Sequence, residues 1–286
     1  MVRGHADRMI DLFIYAAILI LSVVFLFPLL YVISVSLTPY TEVLKHGGYM
    51  IFPTKIDFEA YKTLFNDDAI PRSFRTSLII TVGGTLISTF LTVLMAYPLS
   101  RKKLKLRSFF LLYVVFTMLF NGGIIPTYFV VQNLGLLNTV WAMMIPNAMT
   151  AFNILLMKSF MESIPEEIFE SARIDGAKEN RVLWQIVLPL SVPSLLTIGL
   201  FYAVTQWNLF FSAIMYITDA KLYPLQVIVR NIISASSLAN ANTEVVVPTM
   251  TLNMAAVVVS SAPIIAVYPF IQKHFMKGML MGSLKG

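Results

Sequence analysis

Long apolar runs broken by short polar segments dominate this chain. A helix needs about 20 mostly apolar residues to cross the hydrocarbon of a bilayer. Six stretches meet that need, at 12–36, 76–99, 108–131, 137–157, 194–217 and 245–271. The third and fourth come from one block, 108–157, that carries no charge and is too long for one helix. Gln132-Asn133-Leu134-Gly135 is a turn signal that divides it. The pattern predicts an all-α polytopic membrane protein, with 1–286 forming a single transmembrane domain. The first run is much longer than the core of a secretory signal and is expected to persist as a span. Pro28, Pro98, Pro126, Pro146 and Pro263 fall inside these runs, and such breaks are tolerated where neighbours satisfy the freed backbone. Gly84 and Ser88 have the small-xxx-small spacing that lets two helices approach closely.

The polar segment 158–193 is patterned as a helical hairpin. Ser163 and Glu166 have capping-box spacing, and Pro165 suits a first helical turn. Glu166 and Glu167 stand at the positive end of the helix dipole. Ile164, Ile168 and Ala172 form an apolar face. Asp175-Gly176 is a helix stop, since Gly accepts a left-handed conformation. A second helical run places Val182, Leu183, Ile186 and Val187 on one side, and Pro189 and Pro193 close it. Two further polar segments lie between spans. In the first, Phe58, Tyr61, Leu64 and Phe65 share one face of an interfacial helix. The second, 218–244, is read as a loop with a tip of small polar residues, 234–242.

Basic residues orient the whole. Arg3, Arg8, Arg101, Lys102, Lys103, Lys105, Arg107, Lys158, Arg173, Lys178, Arg181, Lys273, Lys277 and Lys285 fall on one side, against Lys45, Lys55, Lys62, Arg72, Arg75, Lys221 and Arg230 on the other. The larger set marks the cytoplasm, so both termini and the hairpin are expected there. The composition agrees: 57% of residues are hydrophobic and 13% charged, where a soluble domain carries about a quarter charged residues. The net charge of +6 is concentrated at 101–107 between two spans, which fits anionic lipid and not nucleic acid. Without cysteine there is no thiol chemistry, and His5, His46 and His274 lack metal-ligand spacing. No metal site is expected.

Glu170-Ser171-Ala172, then Gly176, then Ile186, Leu188 and Pro189 match a known signature: Glu-Ala-Ala, three residues, Gly, nine residues, Ile-x-Leu-Pro. The segment resembles the EAA loop of ABC importer permeases, with Ser171 in place of the usual Ala. Further stretches are similar to the maltose-type carbohydrate branch, and within it to the subgroup associated with uronate-containing and other complex oligosaccharides. They are Asn121-Gly122-Gly123-Ile124-Ile125-Pro126-Thr127-Tyr128, Leu134-Gly135-Leu136-Leu137-Asn138-Thr139, Gln206-Trp207-Asn208-Leu209-Phe210-Phe211, Leu222-Tyr223-Pro224-Leu225-Gln226 and Gly282-Ser283-Leu284-Lys285-Gly286. The resemblance implies a coupling helix, with Glu170, Ser171, Ala172, Asp175, Gly176, Ile186, Leu188 and Pro189 docking on an ATPase. It implies a second related permease, two ATPase subunits that hold ATP and Mg, an extracytoplasmic solute-binding protein, and a bacterial cytoplasmic membrane. This chain has no Gly-x-x-x-x-Gly-Lys-[Ser/Thr] of its own to cradle a nucleotide, so no cofactor is expected on it.

Sugars are held by polar side chains and aromatic faces. Gln206, Trp207, Asn208, Asn147, Asn153, Tyr128, Asn121 and Asn253 are the intramembrane candidates, and interhelical hydrogen bonding is the plainer reading of each. Ser234, Ala235, Ser236, Asn240 and Asn242 are the candidates for contact with the binding protein. The methionine-rich tail, with Met276, Met279 and Met281, is expected to reach the ATPase. The alternative is a stand-alone secondary transporter of a small polar solute. That predicts midplane ionisable residues or inverted repeats, and no span interior here carries a charge.

Overall fold

The structure is a computed structural model that describes residues 5–239 and 250–283, all of whose regular elements are helical. The fold divides into two compact units, one comprising Met1–Pro71 with Ile228–Ala262 and the other Arg72–Val227 with Pro263–Gly286.

In the first unit, α1 (His5–Ser36) is apolar and leaves Leu12, Phe13, Leu19, Phe25 and Leu26 exposed, as a lipid-facing helix would. Its C-terminal end is tied down. The Tyr31 hydroxyl donates to the Gly48 carbonyl (2.9 Å), the Ser36 and Tyr61 hydroxyls pair (2.8 Å), and Asp57 N–H donates to the Leu37 carbonyl (2.8 Å). These bonds hold α2 (Tyr40–Lys45) and α3 (Glu59–Asn66) near the end of α1. The helix expected here forms as α3: Leu64 is buried, while Phe58 and Phe65 stay exposed.

The second unit is strung on α4 (Ala69–Ser100), which is longer at both ends than expected. After it come α5 (Arg107–Leu119) and α6 (Ile124–Asn133), bent by 112° to one another. The stretch 108–131, expected as one span, is therefore two helices with a bend between them. Gly123 has φ +91° and ψ 177°, a conformation essentially reserved for glycine, and the Asn121 side chain accepts its N–H (2.8 Å). The expected span 137–157 is broken too, into α7 (Val140–Met144) and α8 (Ala151–Glu162). Pro146 removes a backbone donor there, and Thr150 caps α8 by accepting the Asn153 N–H (3.4 Å).

The hairpin follows as α9 (Glu166–Ile174), α10 (Glu179–Val182), a π-helical turn (Leu183–Val187) and α11 (Leu188–Leu190). It turns by 81° into α12 (Val192–Trp207). The expected span 194–217 thus starts earlier, and it ends at Trp207. Asn208 to Phe210 interrupt it before α13 (Phe211–Tyr216). α14 (Leu225–Ala239) occupies most of the segment expected as a loop. Leu225, Val229 and Ile232 recur at helical spacing, Pro224 stands just before the helix, and Ser77 Oγ takes the Leu225 N–H (2.8 Å). α15 (Met250–Ser283) covers the expected last span from 250 onward. The expected tail contacts rest on side chains outside the described residues.

Among the described residues three helices, Met9–Ser36, Ala69–Ser100 and Met250–Val267, are long and apolar enough to cross a membrane, and the two bent pairs raise the number to five if each is one span. Within the second unit the buried side chains form several clusters, two of them larger than the rest. One joins α4, α8, α9, α10 and α12 through Tyr97, Met157, Met161, Phe169, Val187 and Tyr202. The other joins α4, α7 and α13 through Ile80, Met143, Met144 and Ala213.

Gly123→Ala should strain the α5–α6 bend by about 1–3 kcal/mol, although no atom lies within 4 Å of the added Cβ. Thermal unfolding in detergent should show a lowered midpoint for this variant and no change for Gly122→Ala, whose added Cβ meets only Pro126 at 3.9 Å.

Candidate functional site

The hairpin is a docked element. Its first helix ends in a Schellman arrangement: Ala177 N–H donates to the Ala172 carbonyl (2.9 Å) and Gly176 N–H to the Arg173 carbonyl (3.0 Å), with Gly176 at φ +74°. The expected capping box at its start is not formed. Pro165 is the N-cap, and Ser163 Oγ donates back to the Phe160 carbonyl (2.7 Å). Glu166 is drawn instead to Arg101 (3.8 Å) and Arg173 (3.4 Å). The second arm widens into a π turn, with Leu188 N–H reaching the Leu183 carbonyl. Pro189 explains it, because its ring cannot tolerate a tight carbonyl four residues back, here at Gln185.

One residue the sequence pattern did not single out fixes the hairpin to the spans. Phe169 is 0% exposed, among Met157, Met161, Val187 and Tyr202. Above its ring lies the Arg101 guanidinium, 3.6 Å from the centroid. Arg101 also donates to the Met161 carbonyl (3.1 Å) and to Ser100 Oγ (3.1 Å). One side chain from the end of α4 therefore touches α8 and α9 at once. Burial pulls its pKa below the ordinary guanidinium value, and Tyr97, Glu166 and Glu179 oppose that pull. Tyr97 donates to Glu179, and Arg173 bridges Glu166 and Glu179 (3.4 and 3.5 Å), closing a polar ring around the apolar contact. Arg107 and Lys158 both pair with Glu162 beside it. In the sequence Arg101 read only as one charge of a basic cluster. Its place directly after the apolar run of α4 was the available signal.

The motif residues divide by exposure. Ala172 is buried, and Ile186 and Leu188 are half-buried. Glu170, Ser171, Asp175, Gly176 and Pro189 face outward, and so does Ile174, which is 87% exposed at the tip. The free face of α9 is thus acidic with one protruding aliphatic side chain.

The intramembrane candidates are only partly assembled. Asn153 and Trp207 stand in the wall of a cavity of about 910 Å³, with Thr81, Phe152, Phe201 and Tyr202. Gln206 lies beside Trp207, buried against α4. The remaining candidates serve elsewhere. Asn121 braces the α5–α6 bend, and Tyr128 stacks on Tyr216 (6.2 Å). Asn147 is exposed near Ser212 (3.4 Å), and Asn208 donates to the Val204 carbonyl (2.9 Å). Asn253 belongs to the other unit, where its Oδ1 is buried without a partner among the described residues. Ser234, Ala235 and Ser236 fall in the last turns of α14, while Asn240 and Asn242 lie outside the described residues. No cluster of metal-ligating side chains occurs among the described residues.

A helical membrane protein with a polar hairpin docked on its spans has the build of a transporter's membrane component. Residues 82–281 match the family described as binding-protein-dependent transport system inner membrane component. The chain is 43% identical over 285 residues to the polygalacturonan/rhamnogalacturonan transport system permease protein YtcP of Bacillus subtilis (strain 168), covering 98% of this chain and 99% of that one. It is 45% identical over 263 residues to Protein LplC of the same organism, covering 91% and 89%. Among solved structures it resembles a bacterial ABC transporter involved in the import of the acidic polysaccharide alginate, with a TM-score of 0.87 and 32% identity, covering 96% of this chain and 99% of that one. The chain belongs to this family. It is a permease subunit of a binding-protein-dependent ABC importer in the cytoplasmic membrane, and not its ATPase.

Arg101→Ala should loosen the hairpin. A desolvated cation–π contact contributes about 2 kcal/mol, or roughly 30-fold in local opening. Amide hydrogen exchange across 166–187 should speed up by about that factor. Arg101→Lys should recover little of it, since a point charge does not reproduce a stacked planar fork.

Proposed function

We propose that this permease moves oligosaccharides containing uronate units, working with a second related permease, two ATPase subunits that hold ATP and Mg, and an extracytoplasmic solute-binding protein. The observation that carries the reading is the hairpin's construction: a rigid, capped helix with an outward acidic face, fixed to three spans through Phe169 and Arg101. A lid or linker needs no such anchoring, whereas an element that passes on a partner's motion does. The substrate class rests on likeness to a polygalacturonan/rhamnogalacturonan permease and to an alginate importer.

In this reading the chain crosses the membrane six times, with both termini in the cytoplasm. The crossings are α1, α4, α5, the broken pair α7–α8, the pair α12–α13, and α15. The hairpin of 158–193 then lies inside, where Glu170, Ser171, Asp175, Gly176 and Ile174 meet a cleft on the ATPase. The end of α14, with Ser234, Ala235 and Ser236, faces outward towards the binding protein, and 240–242 continue that surface. Broken helices are suited to this work, because each break is a point where part of a crossing can tilt separately.

Reconstitution in proteoliposomes with the ATPase and the binding protein tests the reading: oligogalacturonide uptake should depend on both. Gly176→Val adds a β-branched side chain at φ +74°, where nothing lies within 4 Å, so its cost of about 1–3 kcal/mol is backbone strain at the cap. Uptake should be lost while the protein remains in the membrane. Normal uptake, or ATP hydrolysis still stimulated by loaded binding protein, would remove the coupling role.

A further inference from the structure

One face of α4 is a polar row in an apolar helix. Thr81, Thr85, Ser88 and Thr92 recur every three or four residues, with Gly84 and Thr89 beside them. Across from them lies α12, whose Gln206 side chain packs directly over Gly84. A Cβ added at Gly84 would lie 2.7 Å from the amide carbon and nitrogen of Gln206. One at Gly199 would lie 3.8 Å from Thr89 Oγ1 and 3.9 Å from Thr85 Cγ2. The Thr92 and Tyr202 hydroxyls pair at 2.7 Å. Gly84 makes this approach possible, whereas a Cβ at Gly199 would meet only ordinary contacts.

The seam contains an anomaly. Gln206 is 2% exposed, and neither its Oε1 nor its Nε2 has a partner among the described residues. The hydroxyls of Thr81, Thr85, Ser88 and Thr89 are buried and likewise unpartnered. Helical hydroxyls elsewhere on α12 behave differently: Thr197 donates to the Pro193 carbonyl (3.0 Å) and Thr205 to the Phe201 carbonyl (2.8 Å). A buried donor or acceptor left unmade carries its full desolvation cost, and apolar residues of the same shape would avoid it. Close packing accounts for small residues here, but not for a buried amide and four hydroxyls that all lack partners among the described residues.

The seam adjoins the cavity of about 910 Å³, within the range of small-molecule sites. Thr81 belongs to both the row and the cavity wall, and Trp207 follows Gln206 in sequence. Phe152 and Phe201 present rings in the same wall, their centroids 6.3 Å apart. Aromatic faces beside amides and hydroxyls are what a sugar ring needs, one side for its C–H face and the other for its hydroxyls. Among the described residues that line this cavity there is no Lys, Arg, Asp or Glu. Such a site reads hydroxyls and ring faces and leaves a carboxylate unpaired.

We propose that the Gln206 amide and the hydroxyls of Thr81, Thr85 and Ser88 form the polar half of a site for sugar hydroxyls, with Phe152, Phe201 and Trp207 as its apolar half, and that the α4–α12 seam opens to admit the sugar. This rests on the importer reading above. In the closed seam the polar atoms face each other across Gly84 without good geometry. In the opened seam they take up the hydroxyls of the passing substrate. The cost of leaving them unpaired in the closed form favours opening.

The test uses the whole transporter in proteoliposomes, with saturating binding protein and oligogalacturonide, comparing Gln206→Leu and the isosteric Thr85→Val with wild type. Two quantities are read: sugar moved per ATP hydrolysed, and the melting temperature of the purified complex. Sugar moved per ATP should fall by about tenfold in Gln206→Leu and severalfold in Thr85→Val, with melting temperatures unchanged or raised. Variants that melt higher and transport like wild type would make the row a packing seam and overturn the site. If Gln206→Leu fails to assemble, Thr85→Val decides by the same two readings. A wild-type transporter that moves no oligosaccharide would overturn the importer reading itself, and this site with it.

Discussion

A polar hairpin can act on membrane helices only if it is fixed to them, and the fixing point here is the burial of Phe169. Its ring fills the space between α4, α8, the second hairpin arm and α12. Fully burying a side chain of this size is favourable by about 1.5–3 kcal/mol, and the Arg101 guanidinium covers the one ring face left to polar surroundings. The contact is also directional. Arg101 belongs to the end of α4 and bonds the last turns of α8, so a shift of α9 displaces both helices together. Glu166 pairs with that charge at 3.8 Å and Glu179 also favours it, where an isolated buried guanidinium would be costly.

The rest of the second unit follows from that anchor. α4 runs away from the hairpin, and its far half meets α12 through glycine and small hydroxyl residues instead of large interlocking ones. Interfaces of this kind let backbones approach closely and depend less on deep side-chain interdigitation. The crossings on either side are segmented: α5 from α6 by Gly123, α7 from α8 around Pro146, and the hairpin from α12 by 81°. A stiff, well-packed end and a segmented far end make a lever with a firm grip.

Much of this was legible in the sequence, and the exceptions are physical. Helix stops that depend on one residue's own backbone were readable, because Gly176 needs no neighbour to prefer a left-handed conformation. So was the buried side of the second hairpin arm, where Val182, Leu183 and Val187 keep helical spacing. The bends within the spans were not, because an apolar run reports length and not direction. Gly122-Gly123 and Pro146 inside charge-free sequence permit either a continuous helix or a 112° turn. The capping box failed by competition: Glu166 had the right spacing, but Arg101, 65 positions earlier, offered it a charged partner. Arg101 itself was hidden among the basic residues of 101–107, since local sequence does not say which of several cations a distant aromatic ring will select. Gln206 was visible as a polar residue in a span, but its opposition to Gly84 belongs to tertiary packing alone.

The absence of cysteine from the chain makes a direct measurement possible. Ile174 projects from the hairpin tip, 87% exposed and without a buried role. Ile174→Cys supplies the protein's one thiol at that point. In inverted vesicles containing the whole transporter, a short thiol cross-linker should join it to the ATPase subunit, with a yield that changes when ATP is bound. A membrane-impermeant maleimide added to right-side-out vesicles should leave it unlabelled. Labelling from the outside, or an uncross-linked thiol in an assembled, ATP-hydrolysing complex, would contradict the account of the hairpin as the place where the ATPase grips this permease.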